Sequence, residues 1–138
     1  MQFFYLDRTK AIAPSTTGRV IEGVVFSDGT VAFIWVSGDI TSGGTHDTVE
    51  EFKAIRCFKS ELTATEFCPI EDTDEEGHFS GIEKLELKDP ITKKPRWEGF
   101  MATNHRVVLK ELRDQGAIIF LSGLPRYALE QFWEAHLE

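Results

Sequence analysis

Two strand-length runs joined by an Asp-Gly pair constrain the fold of this chain more than any other feature. Residues 19–26 and 30–36 are rich in β-branched and aromatic side chains, and Ser27-Asp28-Gly29 lies between them. Such side chains favour strands, and Asp-Gly readily supplies the positive φ that a tight hairpin turn requires. The sequence therefore predicts an antiparallel hairpin here.

Two further runs of similar composition, residues 2–6 and 62–67, bring the predicted strands of the first half to four. Between the third and fourth strands the period of the apolar residues changes from two to between three and four. This change predicts a short amphipathic helix over residues 48–58, with Phe52 and Ile55 on its inward face. Either Asp47 or Thr48 can cap its start, because a side-chain oxygen there accepts a hydrogen bond from a first-turn amide.

The second half is predicted to contain a hairpin, a helix, a buried strand and a final helix. Residues 82–87 and 96–102 form the hairpin, and the helix follows over residues 104–115. The continuous apolar run 117–121 predicts a strand buried on both faces, and Pro125 begins the last helix. The predicted fold class is therefore α+β, with an antiparallel, β-rich first half.

Length and hydrophobicity indicate one globular domain. The chain has 138 residues, of which 41% are hydrophobic, and this is enough for an independent core. We expect a single domain over residues 1–138 that can divide into two lobes, residues 1–69 and 78–138, joined by an acidic loop over residues 70–77. No apolar run approaches the roughly 20 residues of a membrane span, and the N-terminus does not resemble a signal peptide. We therefore expect a cytoplasmic protein without a membrane partner.

The charge of the chain is concentrated in one stretch. Ten acidic residues and only two lysines lie between Glu61 and Asp89, and the chain as a whole has a net charge of −8. Five carboxylates stand within six residues: Glu71, Asp72, Asp74, Glu75 and Glu76. A negative field repels nucleic acid and attracts basic protein surfaces. On a basic surface that normally binds nucleic acid, a row of carboxylates can take the place of the phosphates. This acidic run predicts a partner-binding surface, and its alternative is a solvated loop that only maintains solubility.

A calcium loop is an alternative interpretation of the same stretch. Asp72, Asp74, Glu76 and Glu83 occupy positions 1, 3, 5 and 12 of such a loop, with Gly77 at position 6. Two features oppose it. Position 5 is usually Asp or Asn, and the flanking segments do not read as helices.

Catalytic motifs are not apparent, so we expect a protein that is not an enzyme. The candidates for a nucleophile or a base are scattered residues: His46 with Asp47, Cys57, Cys68, His78 and His105. His46 is interpreted as an exposed loop histidine, and both cysteines as reduced, buried apolar residues. A small enzyme built on His46 and a cysteine stays open as a second alternative.

Three segments carry a resemblance to a known group of proteins. GRVIEGVVFSDGTVAFIW, HDTVEEFKAIRCF and LTATEF, over about residues 18–67, resemble a family of small uncharacterised phage and bacterial proteins. That family typically has a His-Gly-His turn after Ala-Ile, whereas this chain has Arg56-Cys57-Phe58. The resemblance implies a phage or mobile-element context. In that context short acidic proteins often inhibit a host protein by binding it, which makes a host protein with a basic surface the expected partner.

Overall fold

The structure is a computed structural model. It describes residues 1–12, 17–37, 42–57, 59–70, 78–79, 81–88, 91–112 and 116–121. The chain divides into two compact units, Met1–Ser80 and Gly81–Glu138, and each is described by itself. The expected single domain with an acidic loop between two lobes stays a prediction.

The first unit is built on a five-stranded antiparallel sheet. Its strands are β1 (Gln2–Lys10), β2 (Gly18–Val25), β3 (Val31–Trp35), β4 (Gly43–His46) and β5 (Ala64–Ile70). Their order across the sheet is β4-β3-β2-β1-β5, and every neighbouring pair is antiparallel. The four predicted strands are therefore present, and β4 is an addition that the sequence did not reveal.

The predicted hairpin between β2 and β3 is confirmed. Gly29 has a φ of 90°, and its amide donates to the Phe26 carbonyl over 2.9 Å. The Thr30 amide donates to the Asp28 carboxylate, also over 2.9 Å. Asp28 and Gly29 thus perform the two roles that a tight turn requires, a local acceptor and a left-handed backbone.

The predicted helix is confirmed as α1 (Val49–Arg56), which follows β4 directly. Thr48 is its N-cap, and the Thr48 side chain accepts from the Glu51 amide over 3.1 Å. Phe52 is fully buried as predicted, but Ile55 is 54% exposed. The prediction for Ile55 was wrong because α1 contacts the sheet through a narrow stripe, and Ile55 lies beside that stripe.

Both faces of the first sheet are buried. The side chains of Phe4, Leu6 and Phe33 point to the face covered by α1, where they form a cluster with Phe52. A register shift after Leu6 in β1 lets two successive residues of β2 join that cluster. Residues of the opposite face are also buried, and they are Phe3, Glu22, Val24, Ala32 and Ile34.

The second sheet has five strands that are consecutive in the chain, and its first strand lies just before the boundary of the second unit at Gly81. They are β6 (His78–Phe79), β7 (Ile82–Lys88), β8 (Pro95–Met101), β9 (Val107–Glu111) and β10 (Ile118–Leu121), in the order β10-β9-β8-β7-β6. Strands β7 to β10 belong to the second unit, and neighbouring strands among them are antiparallel. Its main apolar cluster contains Leu85, Trp97, Val107 and Leu109. The predicted hairpin of residues 82–87 and 96–102 is confirmed as β7 and β8.

Two predictions for the second half were wrong. Residues 104–112, the described part of the predicted helix, are not helical, because Asn104 and His105 make a turn and β9 follows. The Asn104 side chain accepts from the Arg106 amide over 3.2 Å, and His105 has a φ of 65°. The strand predicted at 117–121 is present as β10, but it is an edge strand with Phe120 43% exposed. The helix predicted from Pro125 lies outside the described residues.

The predicted α+β class holds broadly, since the described residues contain two antiparallel sheets and one short helix. The structure is richer in strands than predicted.

Candidate functional site

Most of the predicted site residues lie outside the described residues. These are the acidic run Glu71, Asp72, Asp74, Glu75 and Glu76, which also includes three of the four predicted calcium ligands. The fourth, Glu83, is half-buried in β7 opposite Met101 of β8. Within the part of the chain that the structure describes, no three His, Cys, Asp or Glu residues are arranged to hold a metal ion. The acidic surface and the calcium loop both stay predictions.

His46 is a core residue at the end of β4. It is only 9% exposed, so its interpretation as an exposed loop histidine was wrong. The register places His46 opposite Val31 on the face of the sheet that α1 covers. The imidazole stacks on Phe33 with centroids 5.7 Å apart and meets the edge of the Phe52 ring at 5.6 Å. Sequence reasoning missed this burial because it missed β4.

Glu51 is the carboxylate that contacts His46, not the neighbouring Asp47 named as its candidate partner. His46 Nδ1 lies 3.1 Å from Glu51 Oε1. A carboxylate can only accept, so Nδ1 donates in this contact. Nε2 is enclosed and has no hydrogen-bond partner among the described residues. The pair joins β4 to the first turn of α1, and its enclosed Nε2 is poorly placed to act on a substrate.

Four phenylalanines and two cations surround the contact between α1 and the sheet. Phe52 lies 5.0 Å from Phe4, 5.4 Å from Phe33 and 6.3 Å from Phe67 between ring centroids. Lys53 Nζ lies 4.4 Å from the centroid of Phe67, and Arg56 Cζ lies 4.8 Å from that of Phe33. Both cations lie over the aromatic rings, a stabilising contact of about 0.5 to 1 kcal/mol at exposed positions.

A buried ion pair lies on the opposite face of the same sheet. Glu22 in β2 is completely buried, and Arg19 Nη1 donates to its carboxylate over 2.9 Å. The Arg19 guanidinium also lies over the Tyr5 ring, 4.1 Å from its centroid. Removing one partner of such a pair leaves an uncompensated buried charge, which is strongly destabilising. The alternating strand pattern gave no sign that Glu22 faces inward.

Both cysteines are free and half-buried, so the expectation of fully buried residues was too strong. Cys57 is the C-cap of α1 and packs against the cluster around Phe52. Burial raises the pKa of the Cys57 thiol above its ordinary value of 9.0, and nearby Lys53 opposes this only in part. Cys68 lies in β5, opposite Tyr5 of β1.

The pKa of Cys57 leads to a prediction for its alkylation. In a Cys68→Ser variant, the rate of reaction of Cys57 with iodoacetamide is expected to rise with pH through a midpoint above 9.0, because burial disfavours the thiolate. Unfolding in urea should return the midpoint to the ordinary value. The unfolded chain then loses this proton first, so the free energy of unfolding should fall as pH rises past 9. A folded-state midpoint below the urea value would contradict the burial argument.

The net charge of the chain is confined to the first unit. Residues 1–80 contain 14 acidic and 6 basic residues, whereas residues 81–138 contain nine of each. Within the first unit, the exposed carboxylates of Asp47 and Glu50 adjoin the end of β4 and the start of α1. The acidic character is therefore a property of the unit that contains α1, and the second unit is neutral.

The fold of the first unit defines a small module in which one short helix covers one face of a five-stranded antiparallel sheet. Residues 1–67 match the model of a family described as Acb5 phage protein. The match begins before β1 and ends within β5, so it covers β1 to β4, α1 and the start of β5. The predicted resemblance to a family of small phage proteins is thus confirmed for this part of the chain.

No curated protein and no solved structure matches the chain. None of the helices among the described residues is long and apolar enough to cross a membrane.

Proposed function

We propose that this protein is a non-enzymatic, phage-encoded binding protein that inhibits or modulates a host protein by occupying a basic surface. The observation that carries the proposal is the confinement of the whole net charge of −8 to the first unit. The family match supplies the phage context and covers most of the same unit. The negative electrostatic field of the first unit increases the rate at which it encounters positively charged protein surfaces.

The acidic run is the proposed contact surface. Its five carboxylates supply more than half of the net charge of the first unit. They begin four residues after the family match ends at Phe67, so this surface would be a feature of the present chain added to a shared module. The enclosed Nε2 of His46 supports a binding role for the first unit over catalysis at this histidine.

The test compares two variants with the same change in net charge. In the first variant Asp74, Glu75 and Glu76 are changed to Asn, Gln and Gln. In the control, Glu61, Glu66 and Glu86, all exposed, are changed to Gln. Each protein is immobilised and exposed to host lysate, and the affinity of any retained protein is then measured after its purification.

We expect a basic host protein to be retained at low salt and released near 1 M NaCl, because the Debye length falls from about 10 Å at 0.1 M to about 3 Å at 1 M. The first variant should bind it about tenfold more weakly than the control variant does, because it removes carboxylates that face the partner. Equal affinity of both variants would assign the run to solubility alone. Binding that is insensitive to salt would contradict the electrostatic proposal.

A further inference from the structure

Strand β4 is an edge strand whose outward backbone groups are unpaired within the described chain. β4 pairs with β3 alone. The Trp35 amide donates to the Ser42 carbonyl over 3.0 Å. This bond shows which of the opposing residues on β3 and β4 form hydrogen-bonded pairs. Because hydrogen-bonded pairs alternate along antiparallel strands, Gly44 and His46 bond to β3 while Gly43 and Thr45 point their N–H and C=O groups outward.

This edge is accessible and lacks most of the devices that protect sheet edges. Gly43 and Thr45 are both exposed. β4 has the sequence Gly-Gly-Thr-His, with no proline, lysine or register shift, and apart from its short length it has no feature that blocks pairing with another strand. At the opposite edge, β5 contains Pro69 and makes an additional bridge through Ala64 to Lys59. The two edges of the sheet are therefore unequal.

The surroundings of β4 specify what kind of strand could pair with it. The exposed carboxylates of Asp47 and Glu50 follow the strand, and the half-exposed Glu51 is held beside it by His46. Ile55 of α1 offers an exposed apolar side chain on the flank of α1 that also presents Glu51 toward β4. A second copy of this chain would bring two units of charge −8 together, which disfavours self-association.

We infer that β4 is a docking edge for an extended segment of a partner protein in which basic and apolar side chains alternate. The segment adds a sixth strand to the sheet, its backbone bonds to Gly43 and Thr45, and its Lys or Arg side chains face Asp47 and Glu50. This inference rests on the proposed function and identifies a second contact for the same basic partner.

The test uses the full chain and two synthetic eight-residue peptides. Valine alternates with lysine in one and with glutamate in the other. Thr45→Pro removes the outward N–H, and Thr45→Lys adds an edge charge that repels the lysine peptide; Thr45→Val keeps the N–H and the strand propensity as the matched control. Affinities are measured by fluorescence anisotropy. Thermal melting checks that each variant is folded. If Thr45→Pro does not fold, the comparison of Thr45→Lys with Thr45→Val tests the inference.

The lysine peptide is expected to bind the wild type and Thr45→Val equally, and Thr45→Pro and Thr45→Lys about tenfold more weakly. The glutamate peptide should not bind. The inference is overturned if the lysine peptide fails to bind, if all variants bind it alike, or if both peptides bind equally. It is also overturned if sedimentation shows a dimer of the chain that Thr45→Lys dissociates. The host protein retained in the previous experiment separates the two proposals. If it binds the Thr45→Lys variant normally but binds the variant with the neutralised acidic run weakly, the proposed function stands and only the docking edge fails.

Discussion

Phe52→Ala is expected to lower the free energy of unfolding by about 3 to 5 kcal/mol, the usual cost of truncating a buried aromatic residue. Phe52 is fully buried and is the only buried residue of α1. Its ring contacts three other phenylalanines and the His46 imidazole. The truncation therefore removes the main contact between α1 and the sheet. Urea denaturation followed by circular dichroism measures the effect.

The matched control for Phe52→Ala is Ile55→Ala in the same helix. Ile55 is 54% exposed, so its truncation should cost less than about 1 kcal/mol, while the helix propensity of the new residue is the same in both variants. A large effect of Ile55→Ala, or a small effect of Phe52→Ala, would mean that α1 packs through a different face.

Gly99→Ala is expected to destabilise the protein by about 3 kcal/mol or more, despite adding a single methyl group. Gly99 lies in β8 opposite Leu109 of β9. A Cβ at this position would overlap the carbonyl oxygen of Val108 and come within 3.0 Å of the Leu109 Cα. Backbone atoms of a central strand cannot move aside as a flexible side chain can, so β8 and β9 would have to separate. Thermal and urea unfolding both report this loss.

Gly44→Ala in β4 is the control for Gly99→Ala, because both residues are strand glycines. At Gly44 the nearest atoms belong to the ring of Phe33, at 3.0 and 3.1 Å, so a shift of this side chain by a few tenths of an ångström, without movement of the backbone, would admit the methyl group. We expect a cost below about 1 kcal/mol. Equal costs at the two positions would show that the close approach of β8 and β9 is not what requires Gly99.

Local signals predicted the first half of the chain well. The Asp28-Gly29 turn, the strands on either side of it and the helix capped by Thr48 each depend on residues adjacent in the sequence. A turn needs only a local acceptor and a left-handed residue, and a helix start needs only a cap and an apolar period. The same half of the chain carries the family resemblance, which the match over residues 1–67 confirms.

The same kind of local signal misled the prediction at Asn104. An Asn side chain that accepts from a nearby amide can begin a helix or a turn, and the two patterns look alike over four residues. Here β9 pairs with both β8 and β10, and this pairing requires a turn followed by a strand instead of a helix. The strand β4 was missed for a related reason. Gly43 and Gly44 have low strand propensity, and only pairing with β3 makes this segment a strand.

The candidate site was predicted less completely than the fold, because its contacts join residues that the sequence pattern does not relate. His46 looked like a loop residue, yet pairing with β3 buries it, and the position of α1 brings Glu51 to its ring. The sequence pattern of β2 does not single out Glu22, yet its side chain is completely buried.

The sequence by itself determined which segments turn, where α1 begins and that the charge of the chain is concentrated in one region, since each depends on neighbouring residues or on composition. Only the tertiary structure decided which strands form edges, which polar side chains are buried and where two backbones approach too closely for a Cβ. Those features depend on pairing between segments far apart in the chain. The unprotected edge at β4 and the requirement for glycine at position 99 are both consequences of that pairing.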